Sequence, residues 1–347
     1  MRVSAGFLLL VLTACGGADA VRPGAGENPY GIAERGPGVL SVLPLDSSTL
    51  VAATPLGALA PPGHVLPTDH VYLYFVDPWS GSQQNNDCRA RPIRAAGSGV
   101  IDFVLQTESS GDLKVEVQMT RTFWYYYDHV LLKSGIGVGS RVSAGDTIGT
   151  TTGRCPSMDL GVIDTDVQPA GLVAPERYGR SAHVASPYRY FTEPLRAWLY
   201  SRVRLFDGVP IDKDGRTDFG VKGRLSGDWF HASIGAADAS VVNGPQGWPK
   251  TLSFAYDWVD GTPRLSVGGT ISEAGVLKLA STDPDPRTVS VAQGVVVYTG
   301  AYTGLGRLQS SWVVAQLLSD TRLRIEVVPA TLAKPTGFTA AAQEYVR

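Results

Sequence analysis

Five histidines are spread along the chain, at His64, His70, His129, His183 and His231. Two of them fall in "PPGHVLPTDH", where Asp69 directly precedes His70, and a third lies in "YYYDHVLLKSGIGVGSRVSAGDTIGTTTG", residues 125–153. An imidazole beside a carboxylate can move a proton or, through a neutral ring nitrogen, ligate a metal ion. Plainer roles fit the same residues. The prolines around His64 and His70 suit a fixed turn in which Asp69 orients an imidazole, and His129 suits a strand position among Tyr125, Tyr126 and Tyr127. His183, in "YGRSAHVASPYRYF", and His231, after "GDWF", have no ligand-like companion nearby and read as surface or turn residues.

The elements that must position these groups are mostly strands. Forty glycines and twenty-three prolines punctuate short runs rich in Val, Thr and Tyr, a composition that favours strands and turns over helices. From Val39 onward "VLSVLPL", "HVYLYFV", "GVIDFVLQT", "LKVEVQMT" and "FWYYYDHVLL" follow one another. Apolar and polar residues alternate in "LKVEVQM" and "GVIDFVL", as in half-buried strands. One helix is predicted over 186–206, where Tyr190, Phe191, Leu195, Trp198, Leu199 and Val203 recur at three- and four-residue spacing. Thr192 reads as its N-cap, with Pro194 just inside the first turn. Beyond it, "GRLSGDWFHAS", "TLSFAYDWV", "RLSVGGTI", "VLKLAST", "TVSVAQGVVVYTGAY", "WVVAQLLSD" and "TRLRIEVVP" predict an all-β sandwich or barrel of roughly 110 residues. An up-and-down barrel there would admit a ligand cavity.

Length and composition bound the rest. A chain of 347 residues fits two domains, and 44% hydrophobic with 18% charged residues is globular. A net charge of −2 with no basic stripe excludes a nucleic-acid-binding surface. "MRVSAGFLLLVLTACGG" pairs an early arginine with an apolar run too short to span a bilayer, which reads as a signal peptide. "LTAC" resembles the lipobox of bacterial lipoproteins, implying acylation of Cys15 and, with Gly16 following, an outer-membrane address in the cell envelope. Residues 16–38 read as a flexible tether and 1–15 as the lipoprotein signal. Cys88 and Cys155 then remain in an oxidising compartment, where a bridge between them would stabilise by about 4 kcal/mol in the chain-entropy model; two buried thiols are the other reading.

The segment from about Leu50 to Val162 resembles the LytM/lysostaphin-type zinc endopeptidases that cut peptidoglycan. The resemblance lies in "PIRAAGSGVI", in the tyrosine–histidine strand and glycine-spaced turns of residues 125–153, and in "MDLGVID" at 158–164. It implies a duplicated-hybrid-motif β-fold, zinc as cofactor and no other, and a domain covering 39–185; the apolar spacing and strand runs beyond it give the helix at 186–206, the all-β domain at 207–335 and a tail at 336–347. That family takes its ligands from a histidine, an aspartate four residues later, and the second histidine of a His-x-His pair. A further histidine lies on the tyrosine strand. Here His129 matches the auxiliary catalytic histidine, and His70 matches the first ligand, but Tyr74 stands where the aspartate belongs. With His64 as counterpart the same position is Thr68, one step from Asp69. The His-x-His pair falls on Ser157 and Asp159.

The resemblance therefore gives His64, Asp69, His70 and Asp159 as metal candidates and His129 as the catalytic candidate, in an incomplete set. That incompleteness points to a non-catalytic binding or regulatory lipoprotein at the cell wall. Its partners would be peptidoglycan or envelope proteins, the membrane being reached through the lipid anchor. Trp124 and the three tyrosines would supply groove contacts on alternate positions. The alternative is a zinc-dependent peptidoglycan endopeptidase with a rearranged metal site.

Overall fold

The computed structural model describes residues 28–77, 88–107, 111–152, 156–205, 208–235, 246–303 and 310–347. Cys15 and Cys155 lie outside the described residues, as does the apolar leader; Cys88 is disulfide-bonded. No helix among the described residues is long and apolar enough to cross a membrane.

The protein is mainly β. The first half forms a nine-stranded sheet from β1 (Ala52–Ala53), β2 (His70–Tyr74), β3 (Pro92–Arg94), β4 (Gly99–Gln106), β5 (Leu113–Thr120), β6 (Phe123–Leu132), β7 (Arg141–Val142), β8 (Thr147–Thr151) and β9 (Ser157–Asp164). The main order is β1-β2-β9-β6-β5-β4-β7, and the β3–β8 pair joins along the far end of β6. Strand alternation decides which residues enter the core. Val71 and Leu73 of β2, Val115 and Val117 of β5, Tyr125 and Tyr127 of β6, and Met158, Leu160 and Val162 of β9 form one hydrophobic cluster. His70, Tyr72, Tyr126 and Asp159 consequently share the opposite face. Gly161 is required there: a β-carbon at that position would lie 2.0 Å from Tyr126 Cζ, because the Tyr126 ring crosses directly over β9.

The helix is shorter than the periodicity predicts. Residues 187–190 form a 3-10 turn opened by Pro187, and α1 spans only Glu193–Arg202. Thr192 occupies the N-cap position with Pro194 in the first turn, without a side-chain capping bond. Tyr188, Phe191, Leu199 and Val203 pack into the same cluster as the sheet, so this segment completes the first core rather than forming a separate unit. Part of the predicted tether is also docked. Thr120 Oγ1 donates to Gly36 O (2.6 Å), Gly36 N to Thr122 Oγ1 (2.9 Å) and Arg121 N to Glu34 O (2.8 Å), which ties residues 34–36 to the β5–β6 turn.

Of the two all-β forms allowed for the second half, the structure takes the barrel. Strands β10 (Gly227–His231), β11 (Thr251–Tyr256), β12 (Pro263–Val267), β13 (Gly275–Leu279), β14 (Val296–Thr303), β15 (Ser310–Ser319), β16 (Arg322–Pro329) and β17 (Gln343–Val346) run antiparallel in sequence order and close β17 onto β10. The expected tail at 336–347 thus supplies the closing strand; four residues are too short to show a period, which is why the pattern was illegible. Trp229, Phe254, Tyr298 and Tyr345 meet Leu265, Leu277 and Ile325 inside, so these described residues pack as a hydrophobic core.

The two halves are joined by a small shared cluster. Leu172, Tyr178 and Ala182 of the first half pack on Phe230 and Ile234 of the second, with Leu66 against them. At its edge Tyr178 Oη donates to Asp228 Oδ2 at 2.5 Å. Burial pushes the Asp228 carboxyl up to about 6. Its folded pKa therefore exceeds its unfolded value, and its contribution to stability is full below about pH 4 and is lost as pH rises through about 6, a span of about 2–3 kcal/mol. Replacing Asp228→Asn should flatten this component. Urea midpoints of variant and parent measured from pH 4 to 7 should diverge upward in favour of the variant; parallel curves would show that Asp228 is not a strained carboxylate.

Candidate functional site

Strand β9 lies between β2 and β6, with Tyr72 and Asp128 as the cross-strand neighbours of Asp159. Regular alternation would send His129 into the core after Tyr127. A β-bulge prevents it. Leu113 pairs Val130 and Val115 pairs Tyr127, so Asp128 and His129 together oppose Lys114 alone. His129 takes a left-handed backbone (φ 66°), and among the described residues it is the non-glycine that does so. The bulge places Asp128 and His129 on the same side as Asp159, while Val130 returns to the core.

Two imidazoles then converge on one carboxylate. His70 Nε2 lies 3.3 Å and His129 Nε2 3.5 Å from Asp159 Oδ2. Each ring is held from behind by a second carboxylate: His70 Nδ1 is 2.9 Å from Asp69 Oδ1, and His129 Nδ1 is 2.7 Å from Asp112 Oδ2. An ionised carboxylate only accepts, so both Nδ1 atoms carry hydrogen and both Nε2 atoms face forward. Asp159 is 2% exposed and His70 7%, whereas the His129 side chain is 21% exposed and forms the mouth. His70 Nε2 and Asp159 Oδ1 are buried without a hydrogen-bond partner. His70 Nε2 keeps its ion-pair contact with Asp159 Oδ2, so Asp159 Oδ1 is the atom of the pair left without a counterpart, and a buried polar atom of this kind is costly.

The remaining candidates take different places. Asp69 is not at the front: its second oxygen accepts from Ser181 Oγ at 2.7 Å and its carbonyl from Tyr126 Oη at 2.9 Å, so it orients His70 instead of facing Asp159. His64 stands edge-on to His70, ring centroids 5.2 Å apart, in a turn closed by reciprocal main-chain bonds between Ala60 and His64. His183 and His231 stay away from the cluster, bonded to Val167 O and to Ser233 with Gln343. The tyrosine run does not form a groove surface. Tyr125, Tyr126 and Tyr127 are fully buried, and Trp124 is covered by the Arg180 guanidinium at 4.3 Å.

Sequence reasoning missed Asp112, Asp128 and Ser181. Asp112 and Ser181 carry no local signal, since they are joined to the histidines only by folding; Asp128 directly precedes His129, as Asp69 precedes His70, and that adjacency was the signal that could have found it. Among the described residues Asp112, Asp128 and His129 form a compact acid–histidine group. Its closeness is explained by the Asp112–His129 bond and by His129 N donating to Asp128 Oδ1 at 2.9 Å.

Electrostatics follow the geometry. Burial opposes a charge on His70, but Asp159 and Asp69 outweigh it and raise its pKa. Burial also opposes a charge on His129, and Asp159, Asp112 and Asp128 raise it in the same way. Burial pushes Asp159 up against the pull of both imidazoles, so the three titrate as a unit. Burial of Asp69 is overcome by His70, Lys114 and Ser181, which hold its carboxyl far below the usual range. His64 goes the other way: burial and then the neighbouring His70 push it down to about 4. Tyr74 is pushed up to about 12 by burial, and Tyr72 beyond that.

Parts of the fold are similar to solved peptidases. Helicobacter pylori Csd3 is 17% identical with a TM-score of 0.30, over 47% of this chain and 40% of that one. A variant catalytic domain of the prophage-encoded M23 protein EnpA from Enterococcus faecalis is 17% identical with a TM-score of 0.26, over 36% of this chain and 87% of that one. The catalytic domain of lysostaphin from Staphylococcus simulans is 16% identical with a TM-score of 0.23, over 43% and 88%. The chain thus spans well under half the length of Csd3. No protein-family model and no curated protein matches it.

NMR titration of the histidine ring carbons should show His64 titrating near pH 4, with His70 and His129 above the ordinary histidine value. A common midpoint near 6.5 for all three would contradict the convergence described.

Proposed function

We propose that the first domain holds a zinc ion through His70, His129 and Asp159 and hydrolyses amide bonds of peptidoglycan peptides. One observation carries the reading: Asp159 Oδ1 is buried without a hydrogen-bond partner, and His70 Nε2, whose opposite ring nitrogen is tied to a carboxylate, faces the same Asp159 carboxylate at ion-pair distance without a hydrogen bond. Metal-ligating histidines are held in this way, the second ring nitrogen donating to a carboxylate that fixes the ring. Two imidazole nitrogens and one carboxylate are a donor set suited to catalytic zinc; among the described residues the group whose ligand atoms all lie within 4.8 Å of one another is instead Asp112, Asp128 and His129, so His70 and His129 must draw together around Asp159 to share an ion.

Compared with the LytM pattern, the donor types are kept and their sources exchanged. The carboxylate comes from β9 at Asp159 instead of from β2, where Tyr74 stands; the second imidazole comes from the bulge of β6 at His129. Zinc, when bound, supplies Lewis-acid polarisation and lowers the pKa of water. The chain's own residues do the rest. Asp69 and Asp112 keep the two rings aimed, and burial of His70 and Asp159 keeps bulk water from competing for them. His64, neutral at pH 7, is a proton acceptor beside them. The phenol of Tyr72 stays protonated and is a hydrogen-bond donor for an anionic oxygen. The lipobox resemblance supports a lipid anchor at Cys15 and a place in the cell envelope, on the outer membrane.

A second reading is a wall-binding or regulatory protein without metal. It is favoured by Tyr74 in place of the expected aspartate, and by the self-compensating pairing of Asp159 with two imidazoles. Metal analysis separates the two. Purified chain lacking residues 1–15 should retain near-stoichiometric zinc, and His70→Ala or Asp159→Ala should bring it to background. Zinc-loaded parent should release peptides from peptidoglycan. Absence of zinc in the parent, or retention in both variants, would leave the binding reading standing and remove the first.

A further inference from the structure

A short segment between the sheet and the helix reaches both the site and the barrel. Residues Pro175–Arg177 and Gly179–His183 form consecutive 3-10 turns. Within them Ser181 Oγ donates to Asp69 Oδ2 at 2.7 Å, and Asp69 Oδ1 receives His70 Nδ1 at 2.9 Å. Three residues earlier Tyr178 Oη donates to Asp228 Oδ2 on β10. Between them Arg180 pairs with the buried Glu116 at 2.9 Å and lies over Trp124. The apolar contacts repeat this connection, because Tyr178 and Ala182 share a cluster with Phe230 and Ile234 of the barrel, and Leu66 of the His64–His70 loop packs on it.

We infer that Ser181 is a positioning residue through which the barrel sets the aim of His70. Asp69 has two oxygens and is the neighbour of His70 in sequence, so its own backbone leaves the side chain free to rotate about its torsions. A bond from Ser181 to one oxygen fixes the carboxylate, and the other oxygen then fixes the imidazole. Ser181 in turn is held because its segment is anchored on β10 by Tyr178 and on β5 by Arg180. The barrel is on this account part of the site's support and not a separate carrier module. This rests on the zinc reading only where zinc is the probe; the positioning itself is present without metal.

Two readouts on the full chain test it. In metal-free parent protein, the His70 Nδ1 proton should give a slowly exchanging downfield NMR signal with a cross-peak to the Ser181 side chain. In Ser181→Ala that signal should be lost to exchange, while Ser181→Thr, which keeps a hydroxyl, should restore it. Zinc affinity, measured by competition with a chelator, should weaken about 10-fold or more in Ser181→Ala and recover in Ser181→Thr. Tyr178→Phe, which frees the segment from Asp228, should weaken zinc in the same direction by less. The inference is overturned if parent protein lacks the Ser181 cross-peak, or if Ser181→Ala keeps both the signal and the parent affinity. Should the parent bind no zinc, the zinc reading fails alone, and the metal-free spectra still decide the role of Ser181.

Discussion

A carboxylate removed from water must be compensated, and Asp159 is the place where this protein meets that requirement. At 2% exposure it is too deep for water to screen it, and an isolated charge there would cost many kcal/mol. Compensation comes from His70 on one side and His129 on the other. Neither imidazole would hold its direction without Asp69 and Asp112 behind it. The site is thus a line of alternating carboxylates and imidazoles, with each group's position fixed by the next. A line of this kind is high in negative charge, which makes a cation at its centre the natural counterpart.

The backbone makes two departures from regular geometry to build that line. The bulge at Asp128 and His129 turns a residue destined for the core toward β9, at the cost of a left-handed histidine. The absence of a side chain at Gly161 lets Tyr126 cross β9 and reach the Asp69 carbonyl. Both serve the site, the first while returning Val130 to the core and the second while burying the Tyr126 ring. Strain and close approach gathered around a buried polar cluster are what a functional centre is expected to show.

Much of the fold was legible because its signal is local. Alternation in "LKVEVQM" and in the distal runs announced strands, and the side chains they assign to the interior are those of the two cores. The histidines and Asp159 were also legible as candidates. What could not be read is long-range. Asp112, Ser181 and the bulge acquire meaning only when β5, β6 and the 3-10 segment meet, and nothing in their own neighbourhood distinguishes them. Asp69 was left between two readings, a metal ligand and a carboxylate that orients an imidazole, and the fold takes the second, since sequence adjacency to His70 does not say whether a carboxylate stands beside a ring or behind it. The closing strand β17 was missed because four residues cannot display a period. The helix was overextended because Pro187 and Pro194 break an apolar spacing that otherwise runs on.

The central claim is that His70, His129 and Asp159 share one point in space as ligands. Anomalous X-ray diffraction at the zinc edge, on crystals of the zinc-loaded chain, measures this directly. The account predicts a peak within bonding reach of His70 Nε2, His129 Nε2 and the Asp159 carboxylate together. A peak seated on Asp112 and Asp128, or a fully loaded crystal with no density beside Asp159, would contradict it.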